Sequence, residues 1–200
     1  QNAVVGHSVT HNRRLLSEHS EVRGVICNSG NANTVTGMQG AEDCARLASV
    51  AGNRIDGSAD DVLVGSTGVI GRMLPMDRLE EAVRQIELAT DGGGAFARAI
   101  MTTDTHAKEC APRFVVGGRT YQVGGCAKGS GMIHPDMATM FGFVTTDAPV
   151  DPTWFRSAWK SAVDVSFNMV DVDMDTSTSD MGIAFASGAA GGDPIDADHP

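Results

Sequence analysis

Lys128-Gly129-Ser130-Gly131-Met132-Ile133-His134-Pro135-Asp136-Met137-Ala138-Thr139-Met140 is the stretch on which the reading of the whole chain turns. A glycine-rich, proline-containing bend ends on a small residue, Ala138, and on a threonine that opens the apolar run Met140 to Thr146, which reads as a strand. If the chain is cut before Thr139, the new N-terminus carries a nucleophile and its base on one residue. A free α-amine titrates near ~7.7–8.0, so close to neutral pH it takes the proton of its own side-chain hydroxyl, otherwise a weak nucleophile. Held at the start of a strand, that hydroxyl can attack the preceding carbonyl, and an N-to-O acyl shift followed by ester hydrolysis releases the amine. Strand propensity alone also favours threonine here; the neighbouring segments decide between the two readings.

Outward from this block lie Cys27-Asn28-Ser29-Gly30-Asn31-Ala32-Asn33, Ser66-Thr67-Gly68-Val69-Ile70-Gly71, Met101-Thr102-Thr103-Asp104-Thr105 and Asp175-Thr176-Ser177-Thr178-Ser179-Asp180. In this order, from about Cys27 to Asp180, the five segments resemble the bifunctional glutamate N-acetyltransferase / ornithine acetyltransferase family of arginine biosynthesis, and together they are far more specific than any one short pattern. Two departures stand near the end. The family pattern has a glycine before the DTST run, where this chain has Met174, and an asparagine where it has Ser179.

The resemblance implies an α/β (α+β) fold, a layered α-β-β-α sandwich of the ornithine acetyltransferase / self-processing aminopeptidase type. It implies an enzyme that cuts itself between Ala138 and Thr139, so that residues 1–138 belong to an alpha subunit lacking its start and 139–200 begin a truncated beta subunit. The implied reaction is a double displacement: Thr139 takes the acetyl group from N-acetylornithine, Thr67 and Gly68 form the oxyanion hole, and glutamate accepts the acetyl group. Thr102, Lys128 and Thr139 are the implied substrate contacts. No resident cofactor is implied, although acetyl-CoA serves some members as a second acetyl donor. The cleaved subunits are expected to stay together as an alpha2beta2 heterotetramer in the cytoplasm.

The residues themselves support this unevenly. A tetrahedral intermediate needs donors aimed at its oxyanion, worth ~2.7–4 kcal/mol each, and Thr67-Gly68, read as the turn after a strand from Asp61 to Gly65, offers a hydroxyl and a backbone N–H. A plain turn that requires glycine reads the same way. Lys128 is followed by Gly129, and Gly124 and Gly125 lie just upstream, which suggests a tightly packed backbone rather than a solvated loop. The order lysine-glycine-serine makes a weak match to a phosphate loop, which needs the hydroxyl directly after the lysine. Thr102 to Thr105 offers hydroxyls and one carboxylate for an amino-acid substrate, or a network of turn bonds to nearby backbone. Asp171, Asp173 and Asp175 alternate as in a calcium loop, but Thr176 and Gly182 stand where such a loop needs glycine and glutamate, so no metal site is expected. His134 has no partner histidine at ligand spacing and reads as a loop residue.

Composition excludes other classes. With 15 basic against 25 acidic residues the net charge of −10 repels phosphate backbones and anionic membranes, so neither nucleic acid nor membrane is an expected partner. Cys27, Cys44, Cys110 and Cys126 show no C-x-x-C spacing and read as reduced thiols. There is no apolar run of bilayer length. The spacing predicts strands over 22–27 and 140–146, helices over 40–51, 76–89 and 96–101, a hairpin over 113–123 turning at Gly117-Gly118, and a helix from Asp151-Pro152 to about Val163. Residues 1–14 carry no predicted element, and 188–200 show no packing signal. A self-processing amidase or aminopeptidase with water as acyl acceptor remains the alternative, as does an inactive fragment.

Overall fold

The computed structural model describes residues 3–19, 21–134 and 140–198. Helix α1 (His7–Glu18) leads into β1 (Gly24–Asn31), α2 (Gly37–Arg54) and β2 (Val62–Val69), and β1 and β2 pair in parallel, from Gly24 beside Val62 to Gly30 beside Gly68. Helices α3 (Met76–Gln85) and α4 (Gly93–Ala99) follow, then β3 (Lys108–Cys110), β4 (Arg113–Val116), β5 (Arg119–Lys128), β6 (Phe141–Thr146), α5 (Pro152–Asp164) and β7 (Met181–Ala186). The second sheet runs β3-β5-β6-β7, with β4 on the first half of β5; β5–β6 is antiparallel and β6–β7 parallel.

Strand alternation builds the layers. Val62 and Val64 of β2 point towards α2 and α3, where Cys44, Leu47, Ala48, Ala51, Met76 and Val83 close one core. Leu63, one residue out of phase, packs with Leu15, Ile100, Phe141, Phe143, Met181 and Ile183 in a second core between the sheets. The outer face of the second sheet is covered by α5 and the 3₁₀ turn Phe167–Met169. Trp159 Nε1 donates to Gly182 O at 3.3 Å, and a Cβ on Gly142 would lie 2.8 Å from the Phe167 ring. Helices, sheet, sheet and helix therefore stack in the expected α+β order.

Locally encoded elements lie where the spacing puts them. Asp151 caps α5 by accepting from the N–H of Trp154 at 2.8 Å, with Pro152 as its first residue. Gly117 and Gly118 turn the β4–β5 hairpin with φ of 57° and 78°. Elsewhere tertiary partners prevail. Ser66-Thr67-Gly68 is not a turn: β2 continues through it to Val69 because Asn28, Ser29 and Gly30 pair alongside. α3 ends at Gln85 rather than Ala89, since Ile86 turns extended and its carbonyl is taken by Arg54 Nε at 3.0 Å. α1 was not predicted; it buries Ser8, Asn12 and Leu15, a stripe with a single large apolar residue. The tail also packs: Ile195 is buried with Tyr121 and Ala148 and bridges to Val150. All four cysteines are free. Among the described residues no helix is long and apolar enough to cross a membrane, and no His/Cys/Asp/Glu group is arranged to hold a metal.

Candidate active site

The period of two that sends Leu63 into the inter-sheet core sends Gly65 and Thr67 the same way. Gly65 has no side chain, which admits the Phe141 ring: a Cβ there would lie 3.2 Å from it. Phe141 is the register partner of Lys128 on β5, so the two side chains share a face. The lysine stem runs over the Phe141 ring, with Nζ 5.3 Å from its centroid, and the ammonium donates to Thr67 Oγ1 at 2.7 Å. Both residues are only 2% exposed. Burial lowers the Lys128 pKa, while the carboxylates of Asp104 and Asp180 pull it back up. An ammonium only donates, so the Thr67 oxygen is the acceptor and its own proton is directed elsewhere, polarised by the cation behind it.

Gly68 follows at φ +128°, and a Cβ there would sit 2.3 Å from the carbonyl carbon of Gly30. Both conformation and space therefore demand glycine, and the residue itself is exposed. The facing strand end is fixed by its asparagines. Ser66 Oγ donates to Asn28 Oδ1 at 2.7 Å, Asn28 Nδ2 to Asn31 O at 2.8 Å, and Asn31 Oδ1 accepts the N–H of Asn33 at 3.0 Å. Thr34 Oγ1 then meets Thr178 Oγ1 at 3.1 Å, which joins this segment to the Asp175–Asp180 run.

The threonine-rich segment lies against the end of β5. Asp104 accepts Lys108 Nζ at 2.6 Å, the N–H of Gly129 at 2.7 Å and the N–H of Thr102 at 3.2 Å. Burial pushes its carboxyl up, but these donors outweigh that and hold it below the usual carboxylate value. Thr103 Oγ1 pairs with Ser130 Oγ at 2.7 Å and Thr105 Oγ1 with His106 Nδ1 at 3.1 Å, so two of the threonines form a local network. Thr102 is exposed on this loop, one carboxylate away from Gly129.

Two acidic residues that the sequence did not mark as part of the active site complete the surroundings. Asp180 accepts the N–H of Met140 at 3.1 Å, and burial pushes its carboxyl up to about 7 against the pull of that N–H, of Ser177 and of Lys128. Asp173, considered in the sequence only as a calcium ligand, holds the N–H groups of Met132 and Ile133 instead. Their motif marked the region, but nothing in it says which backbone groups the carboxylates meet. Of the candidate residues, Thr67, Gly68, Lys128 and Thr102 thus lie at adjoining ends of β2, β5 and the loop before β3. Ala138 and Thr139, with the junction that divides 1–138 from 139–200, lie outside the described residues.

Helices on two facing sheets, with a lysine-polarised threonine hydroxyl buried between them, define an α+β protein with a built polar site in its core. The chain matches the ArgJ family over residues 1–199 and belongs to it. It is 51% identical over 180 residues to the arginine biosynthesis bifunctional protein ArgJ of Symbiobacterium thermophilum, covering 89% of this chain and 45% of that one. The ArgJ protein of Gloeobacter violaceus is 48% identical over 191 residues, covering 94% and 47%. The chain thus spans about half the length of the curated relatives it matches. Among solved structures, ArgJ of Bacillus halodurans superposes with a TM-score of 0.65 at 39% identity, over 68% of this chain and 73% of that one. The ornithine acetyltransferase of Mycobacterium tuberculosis complexed with ornithine gives 0.56 at 32% identity, over the same shares.

Proposed function

We propose that the full-length protein moves an acetyl group from N-acetylornithine to glutamate through an acetyl-threonine at Thr139, after cutting itself between Ala138 and Thr139. The observation that carries this is the buried Lys128–Thr67 bond, because it prepares a hydroxyl to donate where negative charge develops. Thr139 Oγ attacks the acetyl carbon while its α-amine takes the hydroxyl proton; the Thr67 hydroxyl and the Gly68 N–H hold the oxyanion; the C–N bond breaks and the amine proton passes to the departing ornithine nitrogen. Glutamate's amine then attacks the ester and regenerates Thr139 by the reverse proton path. Among the described residues the Lys128 ammonium donates to Thr67, and its remaining N–H groups take the substrate carboxylate beside the Thr102 loop. The ornithine in the Mycobacterium tuberculosis relative supports this substrate class.

The cycle needs no resident cofactor, and acetyl-CoA enters only as an alternative donor to the same threonine. The cleaved chains stay together as an alpha2beta2 heterotetramer in the cytoplasm, where the four thiols remain reduced.

The test is kinetic. In the full-length protein, Thr67→Ala lowers turnover by roughly 10²–10³ with a smaller change in KM, and the parent shows parallel double-reciprocal lines for N-acetylornithine and glutamate. Unchanged turnover in Thr67→Ala, or intersecting lines, would remove the proposal.

A further inference from the structure

Ile133 and Met140 are both fastened to one stretch of chain, residues 172–181. Upstream, the N–H groups of Val172 and Asp173 donate to Ile133 O at 2.9 and 3.3 Å. The Asp173 carboxylate in turn takes the N–H of Met132 on Oδ2 at 2.6 Å and that of Ile133 on Oδ1 at 2.8 Å. Two successive N–H groups converge on one anion, the arrangement of a backbone nest, and Met132 adopts φ +58° within it. A left-handed methionine persists only where its surroundings hold it. Downstream, Asp180 Oδ1 takes the N–H of Met140 at 3.1 Å, and the N–H of Met181 donates to Met140 O at 3.0 Å.

We propose that Asp173 and Asp180 are positioning residues for self-cleavage, gripping the main chain on the two sides of the Ala138–Thr139 junction. The inference rests on the self-cleavage reading above and adds to it. An attack of a hydroxyl on its own preceding carbonyl needs the reacting atoms ~3–3.5 Å apart, and a misplacement of about 1 Å can cost ~10²-fold. Freedom on either side of the junction spreads the chain over unproductive geometries. Asp173 spends both oxygens on backbone N–H groups, those of Met132 and Ile133 and, on Oδ1, that of Asp175. Asp180 gives Oδ1 to the N–H of Met140 and is drawn on as well by Ser177 and Lys128. What the two share is a direct hold on the path of the chain at each flank. The segment that carries them is itself anchored elsewhere, through Thr178 to Thr34 and through Thr178 O to the N–H of Gly6.

The experiment follows the conversion of uncut into cut chain during cell-free synthesis of the full-length protein, with melting temperatures of the products. Asp180→Ala and Asp173→Ala slow cutting by roughly tenfold or more. Asp180→Asn keeps the Oδ1 acceptor for Met140 and restores most of the rate. Asp173→Asn keeps one acceptor of two and falls between. Cutting at the parental rate in both alanine chains overturns the proposal, as does an Asp180→Asn chain as slow as Asp180→Ala, because charge and not the backbone bond would then be required. Should the alanine chains fail to fold, Asp173→Asn decides alone, and a parental rate there overturns the proposal. Thr139→Ala in the same assay separates the two readings. If it is cut, self-cleavage itself is wrong; if it stays whole while the alanine chains cut normally, only the positioning role is lost.

Discussion

Met174 stands where the family pattern has glycine, and its backbone sits at φ +61°, in the region glycine favours. The side chain is 73% exposed, so it contributes little packing, and its N–H is taken by Asp171 Oδ1 at 3.1 Å. A left-handed residue with a Cβ costs ~1–2 kcal/mol, while glycine loses ~0.5–1 kcal/mol through the freedom of the unfolded chain. Met174→Gly therefore stabilises by roughly 0.5 kcal/mol and raises Tm by about 1–2 °C for a domain of this size. Calorimetry checks this, and a lowered Tm would show that the methionine packs against something. Gly68 is the opposite case. There the space beside Gly30 is missing as well as the conformation, so no side chain is tolerated. The sequence marked both positions through the same motif comparison, but the strained loop residue and the closed contact differ only in the fold around them.

At the scale of elements, α1 shows how a helix with one large buried apolar residue can still be held. Asn12 Nδ2 donates to Val64 O and Asn12 Oδ1 accepts the N–H of Val64, both at 2.8 Å, so one amide side chain acts as a neighbouring strand to β2. Asn12→Leu leaves both groups of Val64 buried and unpaired, and at ~1–3 kcal/mol for each unsatisfied group the loss is roughly 2–5 kcal/mol. Urea unfolding reads it; a loss below about 1 kcal/mol would mean that water replaces the amide. This contact explains why α1 was illegible: its polar pattern names no apolar face, and Asn12 has meaning only beside a strand some fifty residues away. α5 and the β4–β5 hairpin were legible for the converse reason, since Asp151-Pro152 and Gly117-Gly118 act on their own backbone. The end of β2 was misread as a turn because its continuation depends on β1 alongside. Thr67 and Lys128 were legible as candidates through their motifs, but their bond follows from Gly65 admitting Phe141, a packing event no local pattern announces.

The whole molecule sets the electrostatics of the site, because two sheets closing on each other exclude water from Lys128, Thr67 and the flank of Asp180. Burial is the largest influence on Asp180 and pushes its carboxyl from an ordinary 3.8 up to about 7, with Met140, Ser177 and Lys128 pulling the other way. Below pH about 4 the folded and unfolded chains both hold this proton and the group is neutral to stability. As pH rises towards about 7 the unfolded chain has released the proton and the folded one still keeps it, so stability falls through this window. Above pH about 7 both forms are ionised and the cost of the buried charge is complete. Asp180→Asn has no proton to lose and keeps an acceptor for the N–H of Met140, so its melting temperature rises relative to the parent between pH 4 and pH 7. Paired thermal melts across pH 4–8 measure the difference. A constant offset would place the titration outside this range. A variant that weakens relative to the parent as pH rises would mean that the ionised carboxylate is favoured here, with Lys128 outweighing burial.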